Sequence, residues 1–259
     1  MVDPTRGVLY PERLPTFHRV APEGATAELV EWFWIPEWRL PADEVSRQHV
    51  VGYPAVNLVV ERDGVGVSGA TTRASFRDLR GEGWAVGALL RPAAVGALLD
   101  DPAALVDGIR PFAAPDLHDA VAEAMRSGEG HRARATEAFG AWLTARVGVL
   151  DDAARQANAL AVELLGERGA TSPEEATTRL AVSVRTLQRM AHRYVGIAPA
   201  AMIRRRRLQE AAQRVRDDPG VDLSRIAAEL GYADHAHLTR DFRAVLGFAP
   251  SDYRSDAGG

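Results

Sequence analysis

The chain of 259 residues has no cysteine, so disulfides, thiolate metal ligands and a cysteine nucleophile are excluded. It has no lysine either; all 31 basic residues are arginine, a usage that, with the abundance of alanine and glycine, fits a GC-rich genome and is not in itself a sign of nucleic acid. No run of eighteen apolar residues occurs, and the start MVDPTRGVLYPERLP lacks the apolar stretch of a signal peptide, so neither a membrane span nor export is expected and the expected location is the cytoplasm. Histidine is sparse before residue 118, with only His18 and His49 and no close pair on one strand, so the metal site of a metal-dependent cupin is not expected. Glycine-rich phosphate loops, a GxSxG nucleophile and paired carboxylates above background are missing as well, which argues against an enzyme and against a cofactor.

What is present is an ordinary globular composition, 46% apolar and 25% charged, and a length sufficient for two domains. The net charge of −4 is unevenly placed: residues 151–259 carry 16 arginines and 15 acidic residues, residues 1–150 carry 15 and 20. Contact with a polyanion depends on a local basic face, so the sum decides nothing. From about 16 to 91 the pattern is that of strands, with Asp63-Gly64 marking a tight hairpin between β-branched runs. The segment LVEWFWIPEW (29–38) is rich in tryptophan; strand packing accounts for it, and Trp32, Trp34 and Trp38 are also the candidate ligand-binding residues of this half. Beyond about 115 alanine, leucine and glutamate dominate and helices are expected over 115–127, 130–148 and 151–167. Ser172-Pro173 reads as a helix start, Ser172 as the N-cap.

A cassette occurs twice at a spacing of 51: LQRMAHRYVGIAP (187–199) and LTRDFRAVLGFAP (238–250). At 100° per residue Leu238, Phe242 and Val245 fall within about 60° of one another as a buried stripe, and Arg240 lies opposite. In the first copy Leu187, Ala191 and Tyr194 form the stripe, and Arg189 lies opposite. Each helix follows a shorter one across a tight connection, with Ser183 and Asp234 as N-caps and Gly231 suited to unusual dihedrals. Upstream of the caps the offset is 50, so the second turn is one residue longer. This is the helix-turn-helix arrangement, whose second helix can enter a major groove. Between the copies, Pro199 to Asp218-Pro219-Gly220 bounds a helix of about 28 Å, long enough to hold two readers about one turn of B-DNA apart, ~34 Å. Its run Arg204 to Arg207 spreads around the helix; phosphate contact and packing between subdomains, or pairing with Glu210, are equal readings.

SVRTLQRMAHRYVGIAPAAMIRRRRLQEA followed by DLSRIAAELGYADHAHLTRDFRAVLGFAPSDYR resembles the DNA-binding domain of the AraC/XylS transcription regulators over about 172–254. The resemblance implies base contacts from Arg185, Thr186, Gln188 and Arg189 on the first recognition helix and from His235, Ala236, His237 and Arg240 on the second, with arginine reading guanine and Gln188 an adenine or a phosphate. His235 and Ala236 stand where the family often has Gln and Ser, and Ala191 replaces a usual phenylalanine. More faintly, 1–110 resembles the cupin-like β domain of such regulators, which senses a ligand or mediates dimerisation.

The expected fold is therefore α+β in two domains. Residues 1–150 form a small β-rich, cupin-like sensor or dimerisation domain with trailing helices. Residues 151–259 form an all-α domain with one helix-turn-helix at about 172–195, a linker helix at about 199–217 and a second helix-turn-helix at about 222–246. The expected partners are double-stranded DNA, a small-molecule effector or a second copy of the chain, and RNA polymerase, with no membrane and no metal. The rival reading keeps the helix-turn-helix fold for protein contact and makes the N-terminal domain a non-sensing dimerisation module.

Overall fold

The computed structural model describes residues 16–50, 53–166, 168–218 and 220–257. Its first part is built on strands: β1 (Thr16–Val20), β2 (Val30–Arg39), β3 (Val45–Val50), β4 (Asn57–Glu61), β5 (Gly64–Ser68), β6 (Ser75–Arg80), β7 (Glu82–Leu90) and β8 (Ile109–Pro111). Six of them pair antiparallel in the order β1-β2-β7-β4-β5-β8, and β3 and β6 form a separate two-stranded ribbon. Asp63-Gly64 does mark the β4–β5 hairpin, but the register pairs Glu61 with Gly64, so the turn residues are Arg62 and Asp63, one position earlier than expected. Gly64, at φ 152°, begins the returning strand.

Three helices back one face of the large sheet: α1 (Pro92–Leu98), α2 (Pro115–Arg126) and α3 (His131–Val147). Alternation along the strands sends Phe33, Ile35, Leu58, Val60 and Val86 toward them, where they meet Leu117, Val121, Phe139 and Leu143 in one apolar cluster. Phe33 and Phe139, with ring centroids 5.6 Å apart, lie at its centre. The tryptophans of β2 point to the opposite face. Trp34 lies over Gly87 and Trp38 over Gly83, so closely that a Cβ would stand 2.0 Å and 2.2 Å from the respective rings. Glycine in β7 thus provides the flat bed that the large indoles need.

The remaining chain is helical: α4 (Asp152–Leu165), α5 (Pro173–Leu180), α6 (Val184–Tyr194), α7 (Pro199–Asp217), α8 (Leu223–Glu229), α9 (His235–Leu246) and α10 (Pro250–Ala257). An α+β fold with a β-rich first part and an all-helical last part is what the chain adopts. Among the described residues no helix is long and apolar enough to cross a membrane. The two parts touch. Asn158 of α4 accepts from the Ala93 amide (3.0 Å) at the start of α1 and donates to the Glu28 carbonyl (2.7 Å). The Tyr194 ring at the end of α6 rests on Gly96 of α1, and Gly196 lies against the backbone of Pro102 and Ala103.

Candidate nucleic-acid interface

Two helix pairs, α5–α6 and α8–α9, stand on either side of α7. Each starts with a satisfied cap. Ser172 accepts from the Glu175 amide (3.2 Å), and Glu175 in return accepts from the Thr171 amide (2.7 Å) and hydroxyl (2.8 Å). These two bonds from Thr171, amide first, hold the Glu175 carboxyl below the usual carboxylate range. Asp222 accepts from the Ser224 amide (2.8 Å) in the second pair. The connecting turns each use one left-handed residue, Gly231 at φ 72° and Ala181 at φ 51°. Ala181 occupies the position of the second copy's glycine, and an alanine there carries a strain that its sequence context does not announce.

The recognition helices are capped as expected: Ser183 accepts from the Thr186 amide (3.1 Å) and Asp234 from the His237 amide (2.6 Å). In α6 the buried side chains are Leu187, Met190 and Ala191; Tyr194, expected in the stripe, is half-buried, packs against the same cluster and also rests on Gly96 of α1. In α9 Leu238, Phe242 and Val245 are buried as the periodicity indicates, and so is Asp241, at 7% exposure. A buried aspartate requires a partner. It has one in Arg204 of α7, whose Nε and Nη2 donate to its two oxygens at 2.7 and 2.6 Å.

The structure leaves Arg185, Gln188 and Arg189 of α6 exposed, together with His235, Ala236, His237 and Arg240 of α9, while Thr186 is half-buried. These side chains differ in their freedom. Arg185, Gln188, Arg189 and Arg240 make no hydrogen bond or ion pair among the described residues. The Thr186 hydroxyl lies 3.0 Å from that of Ser183, tied to the cap. His235 Nε2 is 3.3 Å from the Thr239 hydroxyl, and His237 sits edge-on against Tyr232 with centroids 5.2 Å apart. Arg189 and Arg240 are therefore exposed, uncommitted cations at equivalent places on two equivalently capped helices.

Within the arginine run of α7, Arg205 and Arg206 are buried, Arg207 is half-buried and Arg204 is exposed. Arg206 donates to the carbonyls of Gly166 (2.9 Å) and Ala170 (2.8 Å), and Arg205 is buried, its guanidinium pushed down to about 10 by desolvation. Glu210 pairs with Arg214 at 2.6 Å. Each of the four successive positions faces a different neighbour.

Family models match two segments of the chain. "Helix-turn-helix domain" matches residues 176–256, and "Domain of unknown function (DUF6597)" matches residues 18–108. The transcriptional activator RhaS of Escherichia fergusonii is 33% identical over 85 residues, 33% of this chain and 30% of that protein. The C-terminal part is an AraC-type helix-turn-helix domain. The chain thus spans about a third of the curated relative it matches. Among solved structures, an apo form of ToxT from Vibrio cholerae aligns over 86% of this chain and 97% of its own at 11% identity and a TM-score of 0.41. The AraC-like activator CuxR aligns over 78% and 88% at 15% identity and a TM-score of 0.23. Whole-chain likenesses this loose carry no weight beside the domain match. The AraC-type domain holds both recognition helices α6 and α9 and the whole of α7.

Of the three candidate ligand-binding tryptophans, Trp32 is buried beside Tyr53 (centroids 4.9 Å, edge-on) and under the Arg19 guanidinium (4.7 Å). Trp34 lies on Gly87 and donates to Asn57 Oδ1 at 3.0 Å. Trp38 alone borders a cleft, of about 900 Å³, between the end of the sheet and α2. Trp84, His118 and Met125 line it as well, and nothing in the tryptophan pattern of β2 pointed to them. Glu37, in its wall, is bound by His131 Nε2 at 3.1 Å and Arg132 Nε at 2.5 Å. Burial is the largest single effect and raises its carboxyl, but the bonds from Arg132 and His131 together with their charges outweigh it and hold the group below the usual range. Among the described residues no group of His and carboxylates is placed to hold a metal.

Proposed function

We propose that the chain is a sequence-specific DNA-binding transcription regulator whose AraC-type domain presents α6 and α9 to two successive major grooves. The observation that carries this is the pair of exposed, uncommitted arginines, Arg189 and Arg240, at matching places on two capped helices joined by a 19-residue helix. Arg185, Thr186 and Gln188 on the first helix and His235, Ala236 and His237 on the second complete the reading surface. His237 and Thr186, held by local contacts, are better placed to shape this surface than to reach bases.

The division of labour we propose places a sensor or dimerisation domain in 1–150 and the DNA-binding domain in 151–259. The seats of Tyr194 on Gly96 and of Gly196 against Ala103 give the first part a direct hold on the first recognition helix, through which a small effector or a second subunit would alter its presentation. The cleft beside Trp38 is the candidate effector site, and its mixed charged and aromatic wall suits a polar ligand with an apolar portion.

The test is salt dependence. Duplexes recovered from a random pool by selection with the full chain are titrated by fluorescence anisotropy over a range of salt. With about five to eight phosphates neutralised, the logarithm of affinity should fall against the logarithm of salt with a slope of roughly −4.5 to −7. A flat line, or selection that enriches nothing, contradicts the DNA-binding reading and favours a helix-turn-helix used for protein contact.

A further inference from the structure

Four consecutive positions on an α-helix point in directions about 100° apart, and in α7 the four arginines use all of them. Arg204 makes a two-pronged ion pair with Asp241 of α9, at 2.7 and 2.6 Å. Arg205 turns toward the β-rich part, 3.5 Å from the Thr71 hydroxyl and 3.4 Å from the Arg73 carbonyl. Arg206 holds the loop after α4 through the Gly166 and Ala170 carbonyls. Arg207 donates to the carbonyl of Thr171, just before the cap of α5, and to that of Gly231 (3.4 Å), inside the turn of the second helix-turn-helix. Its guanidinium also stands 5.9 Å from the centre of the Tyr232 ring. One side chain therefore bridges the entry of the first reader and the turn of the second, while its neighbour three residues earlier clamps the second recognition helix itself.

We propose that Arg204 and Arg207 are positioning residues that fix the distance and rotation between α6 and α9, and hence set the spacing of the two DNA half-sites that the protein accepts. This rests on the reading of α6 and α9 as the two DNA readers. The apolar clusters of the two subdomains are separate, one around Leu187 and Met202, the other around Phe242 and Leu208. Each can be intact while their relation changes, so the polar bonds across α7 matter for that relation more than for either core. A planar guanidinium held by two parallel bonds fixes an angle as well as a distance, which lysine or an apolar contact does not. When the two readers are held in register, binding of the first makes binding of the second intramolecular, and this gain is lost if geometry forbids joint engagement.

The experiment uses the full chain and three duplexes: the selected fragment, the same fragment with three base pairs inserted between half-sites, and a fragment keeping only the half-site of α6. The insertion rotates the second half-site by about 100°. The wild type should lose about 100-fold in affinity on the inserted duplex. The variant Arg204→Ala/Asp241→Ala/Arg207→Met removes the ion pair without leaving a lone buried carboxylate and keeps the apolar stem at 207. It should bind the selected fragment about tenfold more weakly, lose only about threefold more on insertion, and match the wild type on the single half-site. Restoring Arg207 alone should recover part of the spacing preference. The proposal is overturned if the variant keeps the full spacing penalty, or if it weakens equally on all three duplexes, which would mark the bonds as general supports of the fold. A wild type that ignores the insertion, by contrast, defeats the two-groove reading itself.

Discussion

Alanine at both Arg189 and Arg240 is expected to weaken binding to the selected duplex by roughly 30- to 20,000-fold, since each arginine read against a guanine contributes about 1–3 kcal/mol of discrimination. The thermal midpoint should hardly move. Both side chains are exposed and make no hydrogen bond or ion pair among the described residues, and surface changes away from such contacts stay within about 0.5 kcal/mol. Each single substitution should relax base preference in one half-site only, and the two losses should add, because the residues belong to different helices over different apolar clusters. Binding by anisotropy and stability by calorimetry on the same samples separate the two effects. Unchanged affinity in the double variant would show that these arginines do not read bases.

The second large effect concerns stability. Phe242→Ala should destabilise the second helix-turn-helix by about 3–5 kcal/mol, the usual cost of emptying a buried phenyl site. Phe242 is fully buried, with the rings of Phe248 and Tyr253 at centroid distances of 6.0 and 6.2 Å, and it is surrounded by Leu208, Ile226 and Leu238. Aromatic neighbours cannot collapse into the void without breaking their own packing, which places the loss toward the upper end. Because the first subdomain has its own cluster around Leu187 and Met202, it should persist. Urea unfolding followed by far-ultraviolet circular dichroism should then show an early transition for the second unit, and DNA binding should shrink to the half-site of α6. A single unshifted transition would contradict this placement of Phe242.

The sequence made these features legible because they are local or periodic. Caps such as Ser172, Ser183 and Asp234 act on amides three residues away, and the stripe of Leu238, Phe242 and Val245 needs only the helical period. What it concealed depends on contacts distant along the chain. Nothing near Asp241 announces Arg204, 37 residues away, so the pairing of this buried carboxylate with a half-exposed guanidinium has no local signal. The same holds for the contact of Tyr194 with Gly96 of α1, since periodicity places the ring in the stripe but names no second neighbour. The run Arg204 to Arg207 is conspicuous as charge, yet its contacts, from Asp241 to the carbonyls of Gly166, Ala170, Thr171 and Gly231, are ones that composition cannot name. For Trp34 and Trp38 the sequence offered packing and ligand contact side by side, and the glycines that accept them, Gly87 and Gly83, lie on another strand.

Whether one chain reads two successive major grooves with α6 and α9 is tested most directly by methylation interference at guanine N7 on the selected duplex, since a methyl group there blocks an arginine in the major groove. Two clusters of interfering guanines should appear on one face of the helix, about 10 base pairs apart. Arg189→Ala should erase one and Arg240→Ala the other. A single cluster, or two that both vanish with either substitution, would contradict the account.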